Sequence, residues 1–347
     1  MAETKVTSQD VAKLAGVSQS AVSRVFTPGA SASARTAEKV RQAAAELGYR
    51  PNVLARSLIT GRSRMIGLVV AYLENYFYPE AVERLSNALQ AEGYHVLVFM
   101  TSQTTGNIDH VLEEILDYQV DGIIMASVGL SSDLTRKCQA AGVPVVLFNR
   151  SQDDDVWAVT SDNKAGGRRV AELFLAAGHD RIGYIAGWEG ASTQRDREAG
   201  FVETLAAGGK TLSAREVGDF KADVAKEAAR RMFAGPDKPD AVFVANDHMA
   251  IVVMDVLRFE LGLRVPEDVS VVGYDDVPPA SWAAYDLTTI RQSADEMVTA
   301  TLDLLFGQIE GRDCPAETRK VVAPLILRGS ARIPEGWDLN TPKGESQ

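Results

Sequence analysis

The 347-residue sequence lacks the features of a membrane protein and of a disulfide-rich secreted protein. Its longest apolar runs, such as residues 143–148, are far shorter than the roughly 20 residues that span a bilayer. The two cysteines, Cys138 and Cys314, cannot by themselves form a disulfide framework or a zinc site. The first 30 residues contain no apolar signal segment. We therefore expect a cytoplasmic protein with no membrane partner.

Signatures of catalysis are also missing. No two glycines are separated by a single residue, which excludes the G-x-G-x-x-G dinucleotide fingerprint. Gly209-Lys210-Thr211 resembles the end of a phosphate loop, but Thr204 occupies the position of the upstream glycine. Neither G-x-S-x-G nor H-E-x-x-H occurs, and the four histidines are scattered in positions typical of surface or capping residues. We expect no catalytic residue, no cofactor and no metal site.

The formal charge of -11 is divided unevenly along the chain. Residues 1–64 carry ten Lys or Arg and four Asp or Glu, a net charge of +6, whereas the remainder carries -17. A basic head on an acidic body suggests that the head binds a polyanion, although a solvated basic face without a partner would give the same pattern.

The head is predicted to contain two short helices joined by a glycine turn. Thr7, with Asp10 three residues later, has the pattern of a capping box, and Gly16 would end that helix. Ser18 can cap a second helix, and a third is predicted within 33–48. This spacing indicates a helix-turn-helix unit, although packed helical trios also occur in other roles. The predicted inward residues of the first two helices are Val11, Leu14, Ala15, Ala21, Val22, Val25 and Phe26.

The second helix would present short polar side chains and one arginine near its start. Such donors and acceptors suit phosphates and the base edges of a major groove. The predicted DNA contacts of this region, including the two helix caps, are Thr7, Ser18, Gln19, Ser20, Ala21, Ser23 and Arg24.

Three stretches of the head closely resemble the LacI/GalR family of bacterial transcription regulators. They are VAKLAGVS at 11–18, AVSRV at 21–25, and ELGYRPN followed by ARSL within 46–58. The resemblance implies that 51–63 is a hinge. Within it, Asn52 to Ile59 would be coil when free and helical on operator DNA, where it pairs with the same segment of a second subunit in the minor groove. Ile59 stands where the family often has a basic residue. The implied minor-groove contacts are Asn52, Ala55 and Leu58, with Leu58 as an apolar wedge.

From Met65 onward, apolar strand-like segments alternate with amphipathic helical ones. Such alternation indicates an α/β body with parallel sheets, and about 270 residues are enough for two lobes. The predicted strands are 66–71, 96–100, 122–126, 143–148, 181–186, 241–245 and 269–274. The predicted helices include 80–91, 108–118, 166–177 and 225–233.

The body resembles the same family, in a form similar to type I periplasmic sugar-binding proteins. The matching stretches are 66–69, 121–124, 142–146, 178–182, 246–247, 265–276 and 287–290. The implied fold is an N-terminal all-α helix-turn-helix DNA-binding domain plus an α/β two-lobed periplasmic-binding-protein-like (type I) effector domain. The expected boundaries are 1–50 for the DNA-binding domain, 51–63 for the hinge, 64–335 for the effector-binding and dimerisation domain, and 336–347 for a tail. The lobes would be joined near 161–163, 288–291 and 322–328.

The resemblance also implies that a small ligand binds between the lobes, near the C-terminal ends of strands. Arg, Asn and Asp side chains there can bind hydroxyls or a carboxylate, and an aromatic ring can offer an apolar face. Asn149 replaces an acid common in the family, and Tyr76 replaces a common proline. The implied effector contacts are Asn75, Phe77, Tyr78, Asn149, Arg197, Phe220, Asn246 and Asp275.

We interpret the chain as a ligand-responsive, sequence-specific transcriptional regulator, a repressor of carbohydrate or related catabolic genes. Its expected partners are a second copy of itself, near-palindromic double-stranded operator DNA, and a sugar, sugar acid or polyol as effector. A purine or a protein coregulator is the alternative effector. Two other classes are considered: a solute-binding protein for sugar uptake, which the body alone would allow, and an enzyme of sugar or nucleoside metabolism.

Overall fold

The structure, a computed structural model, describes residues 6–27, 30–50, 62–101, 108–128, 132–152, 156–312 and 315–337. Backbone contacts divide the chain into two compact units, 1–64 and 65–347. Asn52, Ala55 and Leu58 lie outside the described residues, as do 51–61 of the predicted hinge and 338–347 of the predicted tail.

Within its described residues, the first unit contains three helices: α1 (Ser8–Ala15), α2 (Gln19–Phe26) and α3 (Ala34–Leu47). The predicted capping box is confirmed, because the Thr7 backbone N–H donates to Asp10 at 2.9 Å and the Asp10 N–H donates to Thr7 Oγ1. Gly16 ends α1 with φ 66, in the left-handed region that favours glycine. The inward position predicted for Leu14 is wrong: its side chain is 47% exposed, and Ala12 lies in the core instead.

The first lobe of the second unit is a six-stranded, wholly parallel sheet. Its strands are β1 (Met65–Val70), β2 (His95–Met100), β3 (Gly122–Ala126), β4 (Val145–Phe148), β5 (Trp157–Ser161) and β11 (Thr318–Val321). They follow the order β11-β5-β4-β3-β1-β2. Helices α4 (Phe77–Ala91) and α11 (Ala294–Ile309) pack on one face, and α5 (Ile108–Asp117) and α6 (Ser132–Ala140) pack on the other.

The second lobe is also a six-stranded sheet covered by helices. Its strands are β6 (Ile182–Ala186), β7 (Leu212–Val217), β8 (Ala241–Val244), β9 (Ser270–Asp275), β10 (Thr288–Arg291) and β12 (Leu325–Ile326). They follow the order β12-β10-β9-β8-β6-β7, and β12 is antiparallel to its neighbour. The helices are α7 (Asn163–Ala176), α8 (Ser192–Ala207), α9 (Ala222–Phe233) and α10 (Asp247–Asp255), and a π-helical turn (Val256–Glu260) extends α10.

The chain passes between the lobes three times. It leaves the first sheet after β5, returns after β10 to form α11 and β11, and leaves again to form β12. The first and third crossings lie where they were predicted. The second follows residue 291 rather than occupying 288–291, because that segment is itself a strand hydrogen-bonded to β9.

Close contact between α7 and α8 depends on glycine. A Cβ at Gly167 would lie 2.1 Å from the carbonyl oxygen of Arg197, and a Cβ at Gly200 would lie 2.0 Å from that of Lys164. Glycine lets the two backbones approach to a distance that no larger residue allows. The contact fixes the part of α8 that carries Arg197.

The histidines show one departure from the sequence prediction. His179 is buried, with its ring edge-on to Phe174 at 5.4 Å and its Nδ1 atom 2.7 Å from Arg332 Nη2. It therefore belongs to the packing at the start of β6 and not to the surface. No helix in the described parts of the chain is long and apolar enough to cross a membrane.

Candidate functional site

Within the described residues, the predicted DNA contacts are the N-terminal caps of α1 and α2 and several residues of α2 itself. Thr7 and Ser18 are exposed and act as helix caps, with Ser18 Oγ accepting from the Ala21 N–H at 3.2 Å. Gln19 Nε2 donates to Ser8 Oγ at 3.0 Å, which joins α2 to the start of α1. Of the remaining predicted contacts, Ala21 is half-buried, and the exposed ones are Gln19, Ser20, Ser23 and Arg24.

A polar cleft lies between the two lobes of the second unit, and seven of the eight predicted effector residues line it. The C-terminal ends of the parallel strands of both sheets lie at the cleft. Residues at or just after the ends of β1, β4, β8 and β9 therefore meet there. The cavity has a volume of about 10 Å³, room for one water molecule, so the cleft is closed in this structure. The predicted residues that line it are Asn75, Tyr78, Asn149, Arg197, Phe220, Asn246 and Asp275.

Direct hydrogen bonds hold the lobes together around the cleft. Asn75 Nδ2 donates to Asp275 Oδ2 at 3.0 Å. Arg150 Nη1 donates to Thr193 Oγ1 at 2.9 Å. The Ser151 N–H donates to Ser192 Oγ at 2.9 Å. Each bond joins a residue of the first lobe to one of the second, so the relative position of the lobes depends on the same surfaces that would meet a ligand.

Arg197 is the most completely held side chain of the cleft. Its Nε atom donates to Asn163 Oδ1 at 2.8 Å and its Nη1 atom donates to the Ala245 carbonyl at 2.5 Å. Its Nη2 atom lies 3.5 Å from Asp275 Oδ1, and the guanidinium stands 3.6 Å over the ring of Tyr274. Fixed on every side, it presents its charge in one orientation.

Asp275 ends β9 with φ 123, an uncommon backbone conformation for a residue with a side chain. Asn75 Nδ2 and Gln292 Nε2 both donate to its carboxylate, the latter at 2.7 Å. Burial raises the pKa of Asp275, and the nearby Arg197 charge acts in the opposite direction. A buried acid supported by donors in this way can accept hydrogen bonds from a ligand's hydroxyl groups.

Two asparagines that line the cleft each hold a buried hydrogen-bonding atom without a partner in the described structure. Asn149 Nδ2 donates to the Tyr78 hydroxyl at 3.1 Å, whereas its buried Oδ1 has no partner in the described structure. Asn246 Oδ1 caps α10 through the Met249 N–H at 3.0 Å, whereas its buried Nδ2 has no partner there. Unpartnered buried polar atoms are uncommon, so an acceptor and a donor are left available for a ligand.

Phe220 supplies an apolar wall. Its backbone is left-handed, with φ 58, and directs the ring against Gly187. A Cβ at Gly187 would lie 2.1 Å from the ring. This pairing of a constrained phenylalanine with a glycine sets the position of the ring at the cleft.

Phe77 does not line the cleft, contrary to the sequence prediction. Its ring is buried in the core of the first lobe, stacked on Phe148 with centroids 6.2 Å apart. Its backbone N–H donates to Asn75 Oδ1 at 3.1 Å, so it contributes to the cleft through that bond. As the first residue of α4, it points into the interface between helix and sheet, while the neighbouring Tyr78 reaches the cleft.

Three lining residues were missed by the sequence prediction: Tyr72, Arg150 and Thr193. Tyr72 and Arg150 come two residues after the ends of β1 and β4, where a signal was available. Thr193 lies in the first turn of α8, whose start the sequence does not mark, because Ala191 precedes it without a side-chain cap.

Asp247 lies behind the cleft. It follows the lining residue Asn246 in the chain and contacts Thr289 of β10, the strand that precedes the second crossing. Thr289 Oγ1 is 2.6 Å from its Oδ1, and the Val277 N–H donates to its Oδ2 at 3.0 Å. Burial raises the pKa of Asp247 to about 8, with the negative charge of Asp275 acting in the same direction.

Across the described residues, no group of three or more His, Cys, Asp or Glu could hold a metal ion.

The helical head and the two-lobed body together define the class of protein: a regulator with a DNA-binding domain followed by a periplasmic-binding-protein-like domain. Residues 7–52 match the model described as bacterial regulatory proteins, lacI family. Residues 171–331 match the periplasmic binding protein-like domain.

Similar proteins of known identity extend over almost the whole chain. The ribose operon repressor of Escherichia coli (strain K12) is 32% identical over 94% of this chain and 99% of its own length. The HTH-type transcriptional repressor PurR of Photobacterium profundum is 29% identical over 96% and 99%. The chain belongs to the LacI family of bacterial transcriptional regulators.

Two solved structures agree with this assignment. The lac repressor dimer bound to operator and the anti-inducer ONPF is similar with a TM-score of 0.86 and 30% identity, covering 94% of this chain and 99% of that one. The transcriptional regulator CelR in complex with cellobiose is similar with a TM-score of 0.72 and 31% identity, covering 94% and 100%.

Proposed function

We propose that this protein is a repressor that binds operator DNA as a homodimer and changes its operator affinity when a small polar effector enters the cleft. The predicted class of effector is a sugar, sugar acid or polyol. The contacts on DNA are assigned to the exposed start of α2 and to Asn52, Ala55 and Leu58. The near-palindromic form of the operator follows from a two-fold dimer.

The observation that carries this proposal is the chemistry of the cleft. Asn149 Oδ1, Asn246 Nδ2 and Arg150 Nε are all buried without hydrogen-bond partners in the described structure. A cleft that served only to pack two lobes together would satisfy or replace these polar groups. A ligand with several hydroxyl or carboxyl oxygens can supply the missing partners.

The hydrogen bonds across the cleft suggest how a ligand acts on DNA affinity. A ligand in contact with Asn75 and Asp275 replaces or reinforces the bond between them and so changes the balance between open and closed lobes. It can shift DNA affinity only by its difference in affinity for the two states, and DNA must affect ligand affinity by the same factor. Inducer and corepressor are both compatible with this scheme.

The named relatives are consistent with this function. One solved relative is a dimer on operator with an anti-inducer, and another holds cellobiose. Relatives named as the ribose operon repressor and as PurR favour a sugar as the effector, with a purine as the alternative. Their identity as repressors also supports a protein without catalytic activity.

A thermal-shift screen followed by an operator titration tests the proposal. Sugars, sugar acids, polyols and nucleobases are added to the purified chain, and a ligand at 100 times its Kd should add about 2.7 kcal/mol to stability. Each hit is then titrated into a complex with the chain's own upstream DNA. A hit that changes operator affinity supports the proposal, whereas turnover of the hit supports an enzyme, and binding without any operator complex supports a solute-binding protein.

A matched pair of variants links the response to the cleft. Arg197→Ala removes a guanidinium that is 2% exposed, and we expect it to abolish the effector response. Arg195→Ala removes an exposed arginine of the same helix, whose guanidinium donates to the Gly190 carbonyl, and should leave the response intact. Equal responses from the two variants would contradict the placement of the effector.

A further inference from the structure

The cleft holds a buried arginine that forms no ion pair with a described residue. Arg150 is 4% exposed and follows Asn149 after β4. Its hydrogen bonds go to neutral groups: the Asn149 carbonyl at 2.9 Å, Thr193 Oγ1 at 2.9 Å and Ser127 Oγ at 2.8 Å. Its Nε atom is buried and has no partner among these residues. Buried charges in proteins are ordinarily paired, so Arg150 requires an explanation.

A comparison within the chain shows that Arg150 is unusual. Arg328, another arginine whose side chain is mostly buried, forms an ion pair with Asp276 at 2.6 Å. Arg197 lies 3.5 Å from Asp275. Among the described residues that line the cleft, Asp275 is the one carboxylate, and it faces two guanidinium groups.

Neighbouring groups do not supply the missing negative charge. Asn149 is an amide. Burial raises the pKa of the Tyr72 hydroxyl well above its usual range, so this neighbour stays protonated. Asp247 is behind the cleft and not among its lining residues, and burial raises its pKa to about 8, which favours the neutral acid. The described lining of the cleft therefore carries an excess of one positive charge.

We propose that the effector is a monoanion, a polyhydroxylated carboxylic acid whose carboxylate accepts a hydrogen bond from Arg150 Nε. This deepens the proposed function and rests on it. One excess positive charge matches one carboxylate, whereas a phosphate ester carries close to two negative charges at pH 7. The hydroxyl groups would bind Asp275, Asn149 Oδ1 and Asn246 Nδ2.

The test compares acids with their neutral counterparts of the same size. D-glucose and D-galactose are matched with D-glucuronate, D-galacturonate and D-gluconate, and pentoses are matched with their aldonates. D-glucose 6-phosphate provides the dianion. Binding to the full-length chain is measured by thermal shift and calorimetry at constant ionic strength. At least one acid should bind at least tenfold more tightly than its neutral counterpart and than the phosphate ester.

Variants then locate the charge. Arg150→Gln keeps a donor near Ser127 but removes the cation and the bond to Thr193 across the cleft. It should therefore lower the affinity for both kinds of ligand, and the loss for the acid should be at least tenfold greater than the loss for its neutral counterpart. Arg150→Lys should retain part of the preference, because the charge remains without the Nε geometry. Arg195→Gln, at the exposed position on α8, is the control and should keep the full preference for the acid.

Each other outcome overturns the proposal. These outcomes are a neutral sugar that binds as tightly as its acid, a preference for the phosphate ester, an acid preference that survives Arg150→Gln, and failure of every acid to bind. Operator binding by the same preparations keeps the two proposals apart. A neutral sugar that changes operator affinity refutes the anionic effector and leaves the repressor function standing, whereas a chain that never binds DNA refutes the repressor function itself.

Discussion

Asn75 and Asp275 are 200 residues apart in the chain, and their side chains form a hydrogen bond of 3.0 Å across the cleft. Asn75 follows β1 in the first lobe, and Asp275 ends β9 in the second. Both side chains are buried. The bond therefore joins the lobes through two residues that the family resemblance predicts to contact the effector. Closure of the lobes and ligand binding consequently involve the same atoms.

Replacing Asn75 with alanine should loosen the closed cleft. The change leaves Asp275 Oδ2 and the Phe77 N–H without their asparagine partner, and we expect a loss of about 1–3 kcal/mol in stability and a fall of about tenfold in effector affinity. Thermal unfolding and calorimetry measure the two effects. Gln90→Ala, an exposed change on α4, is the control and should alter neither. Equal behaviour of the two variants would show that the bond does not contribute to closure.

Adding a methyl group at Gly167 should separate α7 from α8. Its Cβ would lie 2.1 Å from the Arg197 carbonyl, so the helices must shift, at a cost of about 1–3 kcal/mol or more. Because Arg197 sits at the point of contact, effector affinity should fall as well. The readouts are the unfolding midpoint and the effector Kd.

Gly235→Ala provides the matched glycine control. The nearest atom to its new Cβ is the Asp237 nitrogen at 4.0 Å, and its backbone is not left-handed, so stability should change by less than about 0.5 kcal/mol. If Gly167→Ala changed stability as little as Gly235→Ala, the close contact between α7 and α8 would not require glycine at this position.

The sequence revealed most of the strands because they are continuous apolar runs between helices. Helix α8 was harder to predict, since its buried residues are a mixture of polar and apolar types, among them Thr193, Gln194, Arg197 and Phe201. Such a helix has no apolar stripe, because it is covered on several sides by polar as well as apolar neighbours. The short strand β11 is largely polar and lies at the sheet edge, which gives it no strong signal either.

At the cleft, the family resemblance and the position after a strand pointed to Asn149, Asn246 and Asp275, and all three line the cavity. They did not determine which of two adjacent aromatic rings lines the cleft. Phe77 and Tyr78 are consecutive residues at the start of one helix, so their side chains point in directions about 100° apart around the helix axis. Arg150 was missed because a charged residue after a strand is ordinarily a surface residue. Its burial depends on contacts with Ser127 and Thr193, which come from distant parts of the chain.

An arginine introduced at the start of α2 should change operator preference. Ser20 is exposed, and its hydroxyl is 2.9 Å from that of Ser18. Ser20→Arg adds a side chain that favours guanine in the major groove, so discrimination at one operator position should change by about 1–3 kcal/mol. Binding to a panel of operator variants measures this, and effector affinity should be unaltered.

Gln9→Arg controls for the added charge. It places an arginine on the exposed surface of α1 and should strengthen or weaken binding to all operators alike. If Ser20→Arg also acted uniformly, or if it altered effector affinity, the assignment of α2 as the recognition helix would be wrong.

The buried carboxyl of Asp247 predicts a particular dependence of stability on pH. Its pKa is raised from 3.8 to about 8 in the folded chain, chiefly by burial. Between roughly pH 4 and pH 8 the folded state holds a proton that the unfolded chain releases, so this group makes stability fall as pH rises through that window and level off above it.

Asp247→Asn should remove this dependence while keeping the local hydrogen bonds. The amide resembles the protonated acid: its oxygen can accept from the Val277 N–H, and its nitrogen can donate to Thr289 Oγ1. The variant should match the native chain near pH 4 and become more stable than it by a margin that grows up to about pH 8. Since Asp275 is present in both proteins, its own titration largely cancels in the comparison.

Unfolding midpoints measured from pH 4 to pH 9 test this, with Asp237→Asn as the control for loss of an exposed carboxyl in the same lobe. A constant destabilisation of Asp247→Asn at every pH would mean that Asp247 is ionised and accepts both hydrogen bonds as a carboxylate. In that case Asp247 would add a negative charge behind the cleft and offset the charge of Arg150. The same titration therefore also tests the electrostatic basis for an anionic effector.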